Sequence, residues 1–118
     1  MSNNSYDIVS SQFTQKKATH ILNKYPNKRP VVIWDINNNM FIKKRKFIVD
    51  ENLTLGQLLF VIRKRCDLNQ SEALFIFIIY PENTYTLPIL GKTIGEVYGT
   101  SSIDGFLRII ISKEETFG

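Results

Sequence analysis

A chain of 118 residues with one cysteine and one histidine can bury a full single-domain core, but it cannot build a disulfide framework or a closed zinc site. Its apolar fraction of 43% and charged fraction of 22% are those of an ordinary folded domain, and its net charge of +4 is modest. No apolar run approaches membrane-spanning length, and the polar opening Ser2 to Ser5 does not read as a signal peptide, so a cytosolic location is the default expectation.

Residues 1–10 are rich in Ser and Asn and read as a flexible lead or a short helical turn. From about Ser11 to Lys24, Ala18, Ile21, Leu22 and Tyr25 fall at helical spacing, and Pro26 ends that helix because the residue before a proline avoids the helical region. Val31 to Trp34 is a β-branched strand, Asn37-Asn38-Asn39 a turn, and Met40 to Val49 a second strand, which together predict an antiparallel hairpin. Thr54 stands as an N-cap before a helix with Leu55, Leu58, Leu59, Ile62 and Cys66 on one face. Within it, Leu55, Leu59 and Ile62 are expected to pack beneath the sheet, with Val61 on another face.

Leu74 to Tyr80 is almost wholly apolar, the mark of a central strand covered on both sides. A long loop, Pro81 to Lys92, leads to a short helix at Ile94 to Tyr98 and a last strand at Gly105 to Ile111. The order predicts an α+β ubiquitin-like β-grasp. It has a four-stranded mixed sheet, a crossing helix and an N-terminal helical extension, in one domain over residues 11–116 with a C-terminal arm at 117–118.

The positive charge is clustered in Lys43 to Lys46 and in Arg63 to Arg65. Such runs suit phosphates, anionic lipid or acidic peptides. They equally suit a solvated face, lysines guarding an edge strand, or cations closing a helix C-terminus. Cys66 reads as a small core residue, since the single candidate base, His20, has no visible link to it. Paired carboxylates, a phosphate-cradling glycine loop and metal-ligand spacing are all missing, so neither an enzyme nor a cofactor is expected. The end of the chain, Thr116-Phe117-Gly118, offers a carboxyl group on an unobstructed glycine.

Ordered blocks of sequence add to this reading. They are Lys24-Tyr25-Pro26, Pro30-Val31, Lys44 to Val49, Leu53 to Gln57, Ile62 to Arg65, Ala73 to Phe75, Asp104 to Leu107, and Glu115 to Gly118. From about Lys16 to the end, the chain resembles the autophagy ubiquitin-like modifiers (GABARAP-like) as a divergent member. Lys17 stands where that family usually has an acid, Asp50 where it often has proline, Trp34 at a polar position and Arg108 at an aromatic one. The Pro81–Lys92 loop is longer than typical.

The resemblance implies that Gly118, on a recognition arm that includes Phe117, is adenylated by an activating enzyme and held as a thioester on successive cysteines. It is then transferred to the amine of phosphatidylethanolamine, and a cysteine protease serves for processing and release. The protein would be cytoplasmic with a conjugated pool on autophagosomal or vesicle membranes. It would bind cargo receptors and adaptors through aromatic-x-x-aliphatic motifs, with no specific nucleic acid as partner. Lys46 to Val49 reads as an exposed strand edge able to take an extended peptide. By resemblance, Ile21, Pro30, Val32, Lys46, Ile48 and Phe106 line an aromatic pocket. An aliphatic pocket is lined by Phe47, Val49, Leu53, Leu58 and Val61. Lys17, Lys46 and Arg65 would attract acidic flanks.

Ile21, Val32, Leu58 and Phe106 fit a plain core as well as a pocket wall. Two other functional readings stay open at this point. One is a modifier coupled to a lysine of a partner protein; the other is a non-conjugated basic module that binds RNA or anionic lipid. The KRKFIV edge and the Phe117-Gly118 ending favour lipid conjugation.

Overall fold

The computed structural model describes residues 14–35, 46–66, 68, 71–82 and 84–113. The lead at 1–10, the Asn37–Asn39 turn, the first half of the expected second strand and the arm at 117–118 lie outside them.

Helix α1, Gln15–Lys24, starts at Thr14, whose hydroxyl accepts the Lys17 N–H, and stops at Tyr25, immediately before Pro26. Strand β1 spans Lys28–Asp35 and β2 spans Lys46–Asp50. Helix α2, Leu55–Arg65, opens with a full capping box. The Thr54 hydroxyl accepts the Gln57 N–H at 3.1 Å, and the Gln57 side chain accepts the Thr54 N–H at 2.9 Å. Strand β3 is Phe75–Ile79, β4 is Tyr85–Thr86, and β5 is Leu107–Ser112. Helix α3, Ile94–Ser101, repeats the capping box with Thr93 and Glu96. The two caps are laced together: Leu55 N–H donates to Lys92 C=O, and Ile94 N–H to Leu53 C=O.

The strands form one mixed sheet in the order β2-β1-β5-β3-β4. β1 runs antiparallel to β2 and parallel to β5, and β5 runs antiparallel to β3. This is the expected ubiquitin-like arrangement with one strand added. The fifth strand, β4, lies inside the stretch read as a continuous loop, because two residues are too short to carry a periodic signal.

Each face of the sheet has its own apolar layer. Val31, Ile33, Val49, Leu55, Leu58, Ile62, Ile76, Ile78 and Ile109 pack on the α2 side. Ala18, Ile21, Val32, Trp34, Phe77, Ile79, Phe106 and Ile110 pack on the α1 side. One turn clamps α1 down. Asp104 and Gly105 both have positive φ, 51° and 82°, and Ile103 and Phe106 exchange backbone hydrogen bonds across them. That is the pattern of a type I′ turn, for which Asp-Gly is a favoured pair. A Cβ on Gly105 would also overlap that of Ala18, so the turn and the helix fit only with glycine there.

The register of α2 corrects the expectation. Leu58, with Leu55 and Ile62, is the buried residue, while Leu59 is half-buried against the edge of the same layer. Leu58→Ala should therefore cost about 2–5 kcal/mol, and more than Leu59→Ala; urea melts of the two variants check the order. Cys66 caps α2 from inside this layer, and burial, assisted by the Asp35 carboxylate against the opposing Arg63, pushes its thiol up to about 11. The fold holds the neutral thiol, so its contribution is complete below the ordinary value of 9.0 and is lost as pH rises from there towards about 11. At pH about 8, Ellman's reagent should label the folded chain far more slowly than the urea-unfolded chain. Equal rates would place Cys66 at the surface.

Candidate functional site

Among the described residues, β2 pairs only with β1, so its other side is a sheet edge. The register decides which groups that edge presents. Glu51 N–H donates to Asn27 C=O at 3.0 Å, and residues opposite each other in an antiparallel pair alternate between bonded and non-bonded. Phe47 with Val31 and Val49 with Arg29 are therefore bonded pairs. Lys46, Ile48 and Asp50, opposite Val32, Pro30 and Lys28, turn their main-chain groups outward. Pro30 fits this phase, since it has no N–H to offer Ile48. Asp50 C=O is taken by Leu53 N–H. The edge thus presents the N–H groups of Lys46, Ile48 and Asp50 and the carbonyls of Lys46 and Ile48.

The same alternation sorts the side chains. Ile48 and Lys46 share the α1 face with their partners Pro30 and Val32, over the layer that holds Ile21 and Phe106. Phe47 and Val49 share the α2 face with Leu53 and Leu58. The two predicted pocket sets therefore lie on opposite faces of the sheet, straddling one edge.

Burial separates floor from rim. Ile21, Pro30, Val32 and Phe106 on one face, and Val49 and Leu58 on the other, are buried and back the surface as core. The accessible members are Lys46, Ile48 at 39% and Val61 at 39%, with Phe47 and Leu53 half-buried. Arg65 lies with its guanidinium 5.5 Å from the Phe47 ring centroid, at the rim of the α2 face. Lys17 is exposed on α1. Gly118 and Phe117 lie outside the described residues.

The sequence reading noted Asp50 as a departure from the family pattern and gave it no place in the site, although counting by twos from Lys46 puts it on the same face as Lys46 and Ile48. Its carboxylate accepts the Asn52 N–H at 2.8 Å, which closes the turn after β2. Beside it, Arg29 bonds Glu51 at 2.9 Å, donates to the carbonyls of Pro26 and Lys28, and lies 5.5 Å from the Tyr98 ring. This knot fixes where β2 ends.

A cleft of about 220 Å³ sits towards the opposite edge, between Leu87, Pro88, Ile89, Lys92 and α3. Its one carboxylate, Glu96, is spent on the Thr93 cap, whose two hydrogen bonds lower its pKa. Among the described residues, no helix is long and apolar enough to cross a membrane.

Comparison with known proteins agrees with this geometry. The family model described as autophagy protein Atg8, ubiquitin-like, matches residues 14–118. The chain is 37% identical over 115 residues to autophagy-related protein 8e of Arabidopsis thaliana, covering 93% of this chain and 90% of that protein. It is 36% identical over 115 residues to autophagy-related protein 8 of Schizosaccharomyces pombe, covering 95% and 91%. With a ubiquitin-like sheet, a two-faced open edge and a match across nearly its whole length, the chain belongs to the Atg8 family of autophagy ubiquitin-like modifiers.

Proposed function

We propose that this modifier is joined through Gly118 to phosphatidylethanolamine and uses the β2 edge to hold cargo receptors and autophagy machinery at an autophagosomal membrane. The observation that carries the binding half is the division of the two apolar sets across one sheet edge. In an extended peptide, residues three apart point to opposite faces. An aromatic-x-x-aliphatic motif added beside β2 therefore sends its aromatic side chain to the Ile48 face and its aliphatic one to the Phe47 face. Main-chain hydrogen bonds supply affinity, and the two apolar contacts supply selectivity.

The conjugation half rests on the family match, which runs through Thr116-Phe117-Gly118. The Gly118 carboxylate attacks the α-phosphorus of ATP, releasing pyrophosphate and forming an acyl adenylate, and an enzyme cysteine displaces AMP to form a thioester. The lipid amine then attacks the thioester carbonyl, forms an amide and frees the thiol. A cysteine protease that hydrolyses this amide returns the free modifier. The chain itself contributes only the acyl group. Two lipid acyl chains, at about 0.8 kcal/mol per buried methylene, hold a protein to a bilayer without a membrane-spanning helix.

Incubation with cognate activating and transfer enzymes on phosphatidylethanolamine liposomes should add the mass of one lipid less one water. Deletion of Gly118 should abolish that shift and leave the thermal melt unchanged, whereas Gly118→Ala should slow the reaction less. Membrane attachment of the deleted chain in cells would defeat the conjugation reading.

Lys17 and Lys46 should favour motif peptides with Asp or Glu before the aromatic residue. Lys17→Glu should weaken that preference by about 0.5–1 kcal/mol per acidic contact. Calorimetry with acidic and basic versions of one peptide, at low and high salt, checks it. Equal affinities at low salt would make Lys17 a bystander.

A further inference from the structure

The outward edge of β2 carries opposite charges at its two ends, with Lys46 at one, Asp50 at the other and the apolar Ile48 between them. Four residue-to-residue steps of strand separate the charges, about 13 Å. All three side chains lie on the α1 face. Asp50 differs from its neighbours on the edge in one respect: its carbonyl is already bonded to Leu53 N–H, while its own N–H points outward with those of Lys46 and Ile48.

The two apolar sets fix how a peptide lies along this edge. An aliphatic side chain must reach Phe47, Val49 and Leu53 on the α2 face, which places its residue opposite Val49. The aromatic residue, three positions earlier, then falls opposite Lys46, above Val32 and beside Ile48. That placement requires a peptide parallel to β2, because an antiparallel one would put its aromatic residue opposite Asn52, past the end of the strand. In that register the aliphatic residue donates its N–H to Ile48 C=O and accepts Asp50 N–H at its own carbonyl. The residue after it falls opposite Asp50, with its side chain on the α1 face beside the carboxylate.

We infer that Asp50 is a specificity-determining residue, and that the preferred partner is an extended peptide with a Lys or Arg immediately after its aliphatic anchor. This rests on the edge-binding reading above and adds the position that Asp50 reads. The charged groups around the carboxylate leave room for the effect. Lys28 lies directly across on β1, the Asn52 N–H already donates to one oxygen, and the nearby Glu51 is bonded to Arg29. Lys28, across the strand pair, reduces the local negative field at Asp50. An exposed carboxylate in that setting discriminates by a few-fold rather than by orders of magnitude.

The test uses the full chain and three peptides, acetyl-Glu-Glu-Phe-Ser-Ala-Leu-X-Ser-amide with X as Lys, Ala or Glu, titrated calorimetrically at low and high salt. The expected order at low salt is Lys, then Ala, then Glu, with about a threefold step between each. High salt should compress the series. Asp50→Asn should flatten it, and Asp50→Lys should invert it. Ile48→Ala, which removes apolar contact without adding a charge, should weaken all three peptides alike. If the Ala peptide binds in an Ile48-dependent way and the three peptides bind equally, the role of Asp50 is overturned while the edge reading stands. If the Ala peptide does not bind, or binds independently of Ile48, both fall together.

Discussion

The register of β1 governs the rest of the molecule. It pairs antiparallel with β2 and parallel with β5, and Pro30 through Trp34 are buried, so neither face of it tolerates a slip. Side chains alternate along a strand, and a shift of one residue would exchange Val32 and Trp34 with Val31 and Ile33 between two separate cores. The same register determines which residues of β2 are bonded inward. Because Phe47 and Val49 face β1, Lys46, Ile48 and Asp50 must face out. The edge that a peptide would use is thus a consequence of packing on the far side of the hairpin.

Much of this was legible in the sequence, for reasons specific to each element. Thr54 reads as an N-cap and Pro26 as the stop of α1, and both stand so, while the capping boxes that Gln57 and Glu96 complete with Thr54 and Thr93 went unread. The run Phe75 to Ile79 is apolar throughout because layers cover both its faces. The α2 register was harder. Leu58 and Leu59 are adjacent on a helix, about 100° apart, and both flank the Leu55–Ile62 line; only the position of the sheet decides which is buried. Core and pocket wall were not separable at Val32 or Phe106, since burial depends on α1 and the Ile103–Phe106 turn above them. The strand β4 had no signal to give.

Two departures from the family pattern that read as independent turn out to be neighbours. Arg108, 2% exposed on β5, has its guanidinium 5.9 Å from the Trp34 ring centroid and donates to the Ile103 carbonyl at 3.2 Å. Burial lowers its pKa, while the Asp104 carboxylate acts in the opposite direction. A desolvated cation over an indole gains on the order of 2 kcal/mol, which offsets part of the cost of taking the charge out of water. An aromatic residue at position 108 would need neither partner. Trp34 and Arg108 thus read as one exchange in the α1-side layer, which supplies the floor beneath Ile48.

The same sheet keeps the two proposed activities apart. β5 is an inner strand, separated from β2 by β1, and its last residues lie beside Asp35 and Phe75. An ion pair of 3.2 Å between Lys113 and Glu72 holds the chain at that point, before the residues that lead to Gly118. A peptide added beyond β2 therefore has two strands between it and the strand that leads to the arm, a separation of about 14 Å. On the proposed function, a receptor peptide at the β2 edge would leave the strand that leads to the arm uncovered. Since the floors on both faces are packed as core, the proposed binding would have to order little beyond the rim side chains Lys46, Ile48 and Val61. That preorganisation limits the entropic cost of capture, and it suits a short motif with only two apolar anchors.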